Sequence, residues 1–236
     1  MRILKGMYPE PMNVKDIGSR MIEKSSNVPR IIDKLVEKKL AKRTVSRHDR
    51  RETLVSLTEK GIQVINKAKE IVDNLTADMI KLAIIRDAGL FLELERHGAR
   101  DVAAGFPAPA GARILERAIS GMLAELQPNL FEEELSRRVD FGHTFSGGLE
   151  GRHGAALLHG EAVLLDIAVS VLIARRRRLL SLPETERIFR LLDRIGIVLD
   201  TGLLEAEILW QSLLERIEHR NGLQRGPLPA AGGECV

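Results

Sequence analysis

The sequence predicts a mainly α-helical protein in two parts: a winged helix-turn-helix domain (α with a small β-hairpin), then an all-α helical bundle. Three observations predict it. Apolar residues recur at helical spacing through most of the chain, and the only strand-like pair of segments falls within residues 41–57. Charge is also divided unevenly. Residues 1–76 hold 17 Lys+Arg against 10 Asp+Glu, net +7, whereas the remainder holds 19 against 23, net −4. At 236 residues and 44% apolar, the chain can bury one large core or two modest ones. The expected boundaries are 1–76 for the winged helix, 77–222 for the helical domain and 223–236 for a flexible tail.

In the first part, Asn13 can cap a short helix in which Val14, Ile17, Met21 and Ile22 share a face. After a turn around residues 24–26, SNVPRIIDKLVEKKL places Val28, Ile31, Ile32, Leu35 and Val36 on one apolar stripe. Pro29 suits the first turn of that helix, where its missing N–H costs nothing. Residues 41–45 and 53–57 then read as two strands around the polar tip 46–51, and a helix follows from Thr58 through Ile62, Ile65, Ala68, Ile71 and Val72. Helix, turn, helix, hairpin, helix is the winged-helix order. The second helix would offer Ser25, Ser26, Asn27, Arg30 and Lys34 to base edges of double-stranded DNA. The tip would offer Arg47, Arg50 and Arg51 to phosphate or a minor groove. A solvated basic face on a protein-interaction module is the alternative reading of the same residues.

The second part reads as five helical stretches, MIKLAIIRDAGLFLELERHG, ARILERAISGMLAELQPN, AVLLDIAVSVLIARRRRLL, ETERIFRLLDRIG and LLEAEILWQSLLERIEHR, punctuated by Gly98, Pro128, Pro183 and Gly196. Strand signals are lacking, so a bundle is expected. The run Arg175 to Arg178 points in all directions around a helix and reads as a solvated helix end. Up to Lys81 there are 11 Lys and 7 Arg, but from Leu82 onward 18 Arg and no Lys, which implies two coding origins joined near residues 75–81. The longest apolar run, 162–174, is interrupted by Asp166 and is well short of the roughly 20 residues that span a bilayer, so no membrane association is expected. Cys235 is the only cysteine and no secretory signal is evident, so a reducing, cytoplasmic setting is expected.

Between these helices lies RVDFGHTFSGGLEGRHGAALLHGEAV, with three of the six histidines. Imidazole suits zinc and similar cations. His143 and His159 are too far apart in sequence to form a compact local motif, so spacing leaves a metal site and a plain glycine-rich loop both open. Glu161 reads either as a carboxylate orienting His159 or as a solvated helix-start residue. His153 reads as a surface-loop histidine.

Two resemblances bear on these residues. VKDIGSRMIEKSSNVPRIIDKLVEKKLAKRTVSRHDRRETLVSLTEKG, with its Asp49-Arg50-Arg51 wing and LTEKG exit, resembles the DNA-reading lobe of MarR-family transcription regulators over about residues 1–75. That resemblance implies major-groove reading by the helix from Ser25 and minor-groove contact by a wing arginine. Members of that family form homodimers through helices flanking this lobe; a homodimer is a candidate state here, although no helix before the lobe is expected and the one after it is expected to be replaced.

GHTFSGGLE and LLHGEAV, preceded by ELQPNLFEEELSRRVDF, resemble the C-terminal half of sugar-phosphate cyclases over about residues 77–222, namely 3-dehydroquinate synthase and, nearer in detail, 2-epi-5-epi-valiolone synthase. The resemblance implies that His143 and His159 ligate a divalent metal, usually zinc. Asp78 stands in place of the family's third ligand, a Glu, and is one methylene shorter. Lys81 matches a lysine that contacts substrate. Asp140 stands where dehydroquinate synthases have Asn, and Ser146-Gly147 replaces their Gly-His, both favouring the valiolone-type branch; Lys81 and Asp140 are therefore the candidate catalytic residues.

Such cyclases also use NAD, held on a separate α/β domain of on the order of 100 residues or more. No strand, glycine-rich turn and helix of that kind is legible here, so an NAD site is not expected in this chain. Two readings result. One is a DNA-binding regulator whose helical part senses a metal or a sugar phosphate. The other is a fragment or fusion of a phosphate-eliminating lyase that is not active alone and needs a partner for its cofactor domain.

Overall fold

A computed structural model describes residues 10–19, 27–46, 49, 51–98, 109–131, 133–219, 222–223, 226–231 and 233–236. The chain forms two compact units, Met1–Val72 and Asp73–Val236.

The first unit contains β1 (Met12–Asn13), α1 (Val14–Ser19), α2 (Val28–Glu37), β2 (Ala41–Val45), β3 (Thr53–Leu57) and the beginning of α3 (Glu59–Ile85). The sheet is antiparallel in the order β1-β3-β2, with Ala41 opposite Leu57 and Val45 opposite Thr53. The wing strands fall where the sequence puts them; β1 was not anticipated. Asn13 explains it by doing two jobs. Its Oδ1 accepts from the Asp16 N–H at 2.8 Å, capping α1, while its Nδ2 donates to Glu52 beside β3 at 2.6 Å. Met12, Ile17, Val28, Ile32, Ala41 and Val55 form the core, with Ile31, Leu35 and Val36 packed against it. Burying the α2 stripe in this way leaves Arg30 and Lys34, one turn apart, on the exposed face.

The second unit contains the remainder of α3, then α4 (Ala88–Glu93, continued by a π turn at Leu94–Gly98), α5 (Pro109–Leu126), α6 (Ser146–His153), α7 (His159–Arg176), α8 (Leu182–Ile195) and α9 (Ala206–His219). The helix expected through residues 79–98 breaks after Ile85, because Asp87 caps α4. Its carboxylate accepts from Gly89 and Leu90 N–H groups, each at 3.0 Å, and from Arg117 at 2.7 Å. Pro183 begins α8 rather than separating helices, inside a Ser181–Glu184 capping box.

The central element is α7, with 11 of its 18 residues buried. One side packs with α3, α4, α5 and α8 around Ile80, Ile85, Leu90, Ile114, Ile167 and Leu192. The other packs with α6 and α9 around Phe145, Leu149, Ala162 and Leu165. A helix apolar on all sides is a core helix. The segment expected as a flexible tail, 223–236, instead contains a two-stranded hairpin, β4 (Pro229–Ala230) with β5 (Glu234–Cys235), that lies beyond the helical bundle expected over 77–222. The Ala231 N–H donates to the Leu179 carbonyl at 3.1 Å, and Leu228 and Cys235 pack on the larger core. Burial pushes the Cys235 thiol up to about 11, which keeps it protonated and unreactive at neutral pH. No helix among the described residues is long and apolar enough to cross a membrane.

Candidate functional site

The two histidines expected to act together are together. His143 and His159 have ring centres 5.6 Å apart, with planes tilted by 55°. His143 follows a single 3-10 turn, Arg138–Asp140, and its N–H donates to the Asp140 carbonyl at 2.9 Å. His159 opens α7. What holds them there is a set of polar groups at helix ends. Asp166, fully buried on α7, accepts from the Phe145 N–H, from the Ser146 N–H at 2.9 Å and from the Ser170 hydroxyl at 3.1 Å, fixing the start of α6 against α7. Arg216 of α9 donates to the His143 carbonyl at 3.0 Å and to Asp140 at 2.8 Å, and Arg137 holds the other Asp140 oxygen at 2.7 Å.

Both imidazoles have Nδ1 beside an oxygen. For His143 it is the Phe141 carbonyl at 3.4 Å, and for His159 the Glu150 carboxylate at 2.8 Å. Burial, then the nearby Lys81 charge, holds His143 down at about 4, so this ring is neutral at pH 7, as a metal ligand must be. A tetrahedral cation about 2.1 Å from one nitrogen of each ring would set the ring centres about 5 Å apart. The observed 5.6 Å leaves room for one cation between the two rings.

Asp78 lies elsewhere in this geometry. Its carboxylate is 3.3 Å from Lys81 Nζ and half exposed, while Lys81 itself is buried and donates to the Val139 carbonyl at 3.2 Å. Among the described residues, no three His, Cys, Asp or Glu side chains form a metal-holding group. Asp140, buried between two arginines, has both oxygens in ion pairs. The carboxylate on His159 is that of Glu150; Glu161 accepts from the Leu158 N–H at 3.0 Å at the start of α7. His153 Nε2 meets the Leu203 carbonyl at 3.1 Å and ties a loop down.

Sequence reasoning missed Glu150, Arg137, Arg216 and Asp166. Only Asp166 carried a signal, since a charged residue inside an otherwise apolar helix must have buried partners. Arg216 lies 73 residues from the carbonyl it clamps, beyond any local pattern.

In the first unit, Asn27, Arg30, Lys34 and Arg51 are all exposed. Ser25, Ser26, Arg47 and Arg50 lie outside the described residues.

Comparison with known proteins agrees with the two-part organisation. Residues 76–219 match the model of the 3-dehydroquinate synthase C-terminal family, and residues 1–61 match that of a winged helix DNA-binding domain. A 2-epi-5-epi-valiolone synthase from Actinomyces sp is 42% identical over 168 residues, covering 69% of this chain and 44% of the relative. Demethyl-4-deoxygadusol synthase from Trichormus variabilis is 34% identical over 173 residues, covering 70% of this chain and 42% of the relative. Among solved structures, ValA, the 2-epi-5-epi-valiolone synthase of Streptomyces hygroscopicus subsp. jinggangensis 5008 with NAD+ and Zn2+ bound, superposes with a TM-score of 0.67 at 39% identity, covering 70% of this chain and 46% of that one. The chain thus spans less than half the length of the relatives it matches. With a half-buried and an exposed histidine brought together in a helical unit that matches over most of its length, the chain belongs to the 3-dehydroquinate synthase C-terminal family, here joined to a winged helix DNA-binding domain.

Proposed function

We propose that this protein is a DNA-binding regulator whose helical unit holds a divalent metal, zinc by the kind of ligand, on His143 and His159. The observation that supports the metal is the pair of imidazoles with both Nδ1 atoms beside an oxygen. A bound zinc would supply Lewis acidity, or a fixed positive charge for a sugar phosphate. Around it, Lys81 and the Arg137–Asp140–Arg216 group would provide cationic contacts for an anionic ligand, and Asp78 would complete the metal set only by leaving Lys81. The loaded unit would act as the sensor, taking a metal or a sugar phosphate, or as a dimerisation element.

Duplex DNA is the partner of the first unit. The exposed Arg30 and Lys34 of α2, with Arg51 on the wing, give it the cationic face that such binding needs. Fluorescence anisotropy with random duplex DNA tests this. Micromolar affinity is expected at low salt. A lobe that neutralises about four to six phosphates should lose on the order of 100- to 1,000-fold in affinity between about 50 and 200 mM salt. Absence of binding at low salt, or binding indifferent to salt, would discard the regulator reading.

A second reading is favoured by the buried Lys81 placed close to His143: the helical unit is the metal-bearing half of a sugar-phosphate cyclase. It would regain phosphate-eliminating lyase activity only with a partner chain that carries NAD. In either reading a cytoplasmic location is proposed, on the single free thiol and the DNA partner.

A further inference from the structure

We propose that Glu150 is the positioning residue of the histidine pair: it holds His159 in the tautomer with the proton on Nδ1, so that Nε2 is the atom presented to a ligand. Glu150 lies on α6, nine residues before His159, and its Oε1 is 2.8 Å from Nδ1. That length is typical of a charge-assisted N–H···O bond, which requires the hydrogen on nitrogen because a carboxylate at neutral pH offers no proton. The glutamate is itself placed by the group that places His143. Asp166 anchors the first turn of α6 through Phe145 and Ser146, and Glu150 sits one turn further along that helix. Leu149, beside it, is fully buried in the α6–α7–α9 core, which fixes the rotation of α6 and hence the direction of Glu150.

His143 is set differently. Its Nδ1 faces the backbone carbonyl of Phe141, at a longer 3.4 Å, and its ring orientation comes from burial and from the turn at Gly142, where φ is +80°. The pair therefore has one imidazole oriented by backbone and packing and one by a partly exposed side chain. His159 is the ring whose orientation a single side-chain change can release. Metal-ligating histidines are oriented in this manner by carboxylates, and removing such a partner costs about 10- to 100-fold in metal affinity. The consequence for affinity rests on the metal reading above; the tautomer does not.

Long-range 1H–15N correlation spectra of the 15N-labelled, metal-free full chain report the tautomer directly. The His159 ring should carry its proton on Nδ1 in the wild-type chain and shift toward the Nε2–H form in Glu150→Ala. Glu150→Gln, which keeps an acceptor oxygen, should retain the wild-type tautomer and guard against a folding defect. Zinc affinity by chelator competition should then fall about 10- to 100-fold in Glu150→Ala and less in Glu150→Gln. An Nε2–H tautomer in the wild-type chain, or a tautomer unchanged in Glu150→Ala, would overturn the proposal. If the tautomer responds as expected and the wild-type chain takes up no zinc, Glu150 still orients His159 and the metal reading alone fails.

Discussion

Replacing Asp166 with alanine is expected to destabilise the helical unit by about 3–5 kcal/mol, toward the lower end of what three buried donors left without an acceptor cost. The carboxylate is fully buried and receives the Phe145 and Ser146 N–H groups and the Ser170 hydroxyl. Alanine leaves three buried donors without an acceptor, each unmade bond costing about 1–3 kcal/mol. Asp166→Asn keeps one acceptor oxygen and should cost less. Burial pushes the Asp166 carboxyl up to about 6, against the N–H and hydroxyl bonds that favour its charged form. Since its folded value lies above the unfolded 3.8, the folded state holds the proton more tightly between these values. The stability linked to that proton is fully present below pH 3.8 and lost as pH rises through about 6. The gap between wild type and Asp166→Asn should therefore be wider at pH 5 than at pH 7.5. Urea denaturation at the two pH values measures both, and a cost of Asp166→Ala below about 1 kcal/mol would show that the start of α6 is held by packing instead.

Gly160→Ala should cost at least the roughly 1–3 kcal/mol of ordinary overpacking. Gly160 lies in the first turn of α7, where a Cβ would stand 2.5 Å from the Asp73 carbonyl carbon and 2.7 Å from the Asn74 nitrogen. Both are backbone atoms of α3, which no rotamer change can move aside. The helices would have to separate at the residue next to His159, so zinc affinity should fall together with stability. Gly151→Ala is the control: nothing lies within 4 Å of its Cβ position, and alanine in the middle of α6 should be neutral or stabilising by up to about 1 kcal/mol. Thermal melts of the two variants decide it. Equal melting temperatures would mean that α3 and α7 are less closely apposed than this contact requires.

The contrast between these glycines shows where sequence reading stops. The stretch around the histidines holds six glycines, and the sequence does not distinguish Gly160, pressed on another helix, from Gly151, which faces open space. In the first unit the elements were legible but not all their limits: the helix expected from Ser25 begins at Val28, and the helix after the wing continues to Ile85, beyond the Val72 that the apolar spacing reached. Its strands and the α2 stripe follow from local periodicity, and the Pro29 start of α2 from local sterics. What escaped there, the strand β1, depends on Asn13 reaching Glu52 across 39 residues. The same holds for the C-terminal hairpin, which forms because Ala231 finds the Leu179 carbonyl. The break at Asp87 was readable in principle, since an Asp two residues before Gly89 is an N-cap signal, but the apolar periodicity on both sides hid it. At the candidate site, the histidine pair was legible through the family's GHTF and HGEAV motifs and not through spacing. Glu150, Arg137, Arg216 and Asp166 act through contacts that only the tertiary fold creates.

The central claim is that His143 and His159 jointly bind one divalent cation in a chain that also carries a DNA-reading lobe. Zinc K-edge X-ray absorption on the full chain loaded with one equivalent of zinc, beside His143→Ala and His159→Ala, tests it most directly. Two imidazole nitrogens at about 2.0–2.1 Å are expected in the wild-type spectrum, with one lost in each variant. A shell of oxygen alone, or spectra unchanged by both substitutions, would contradict it.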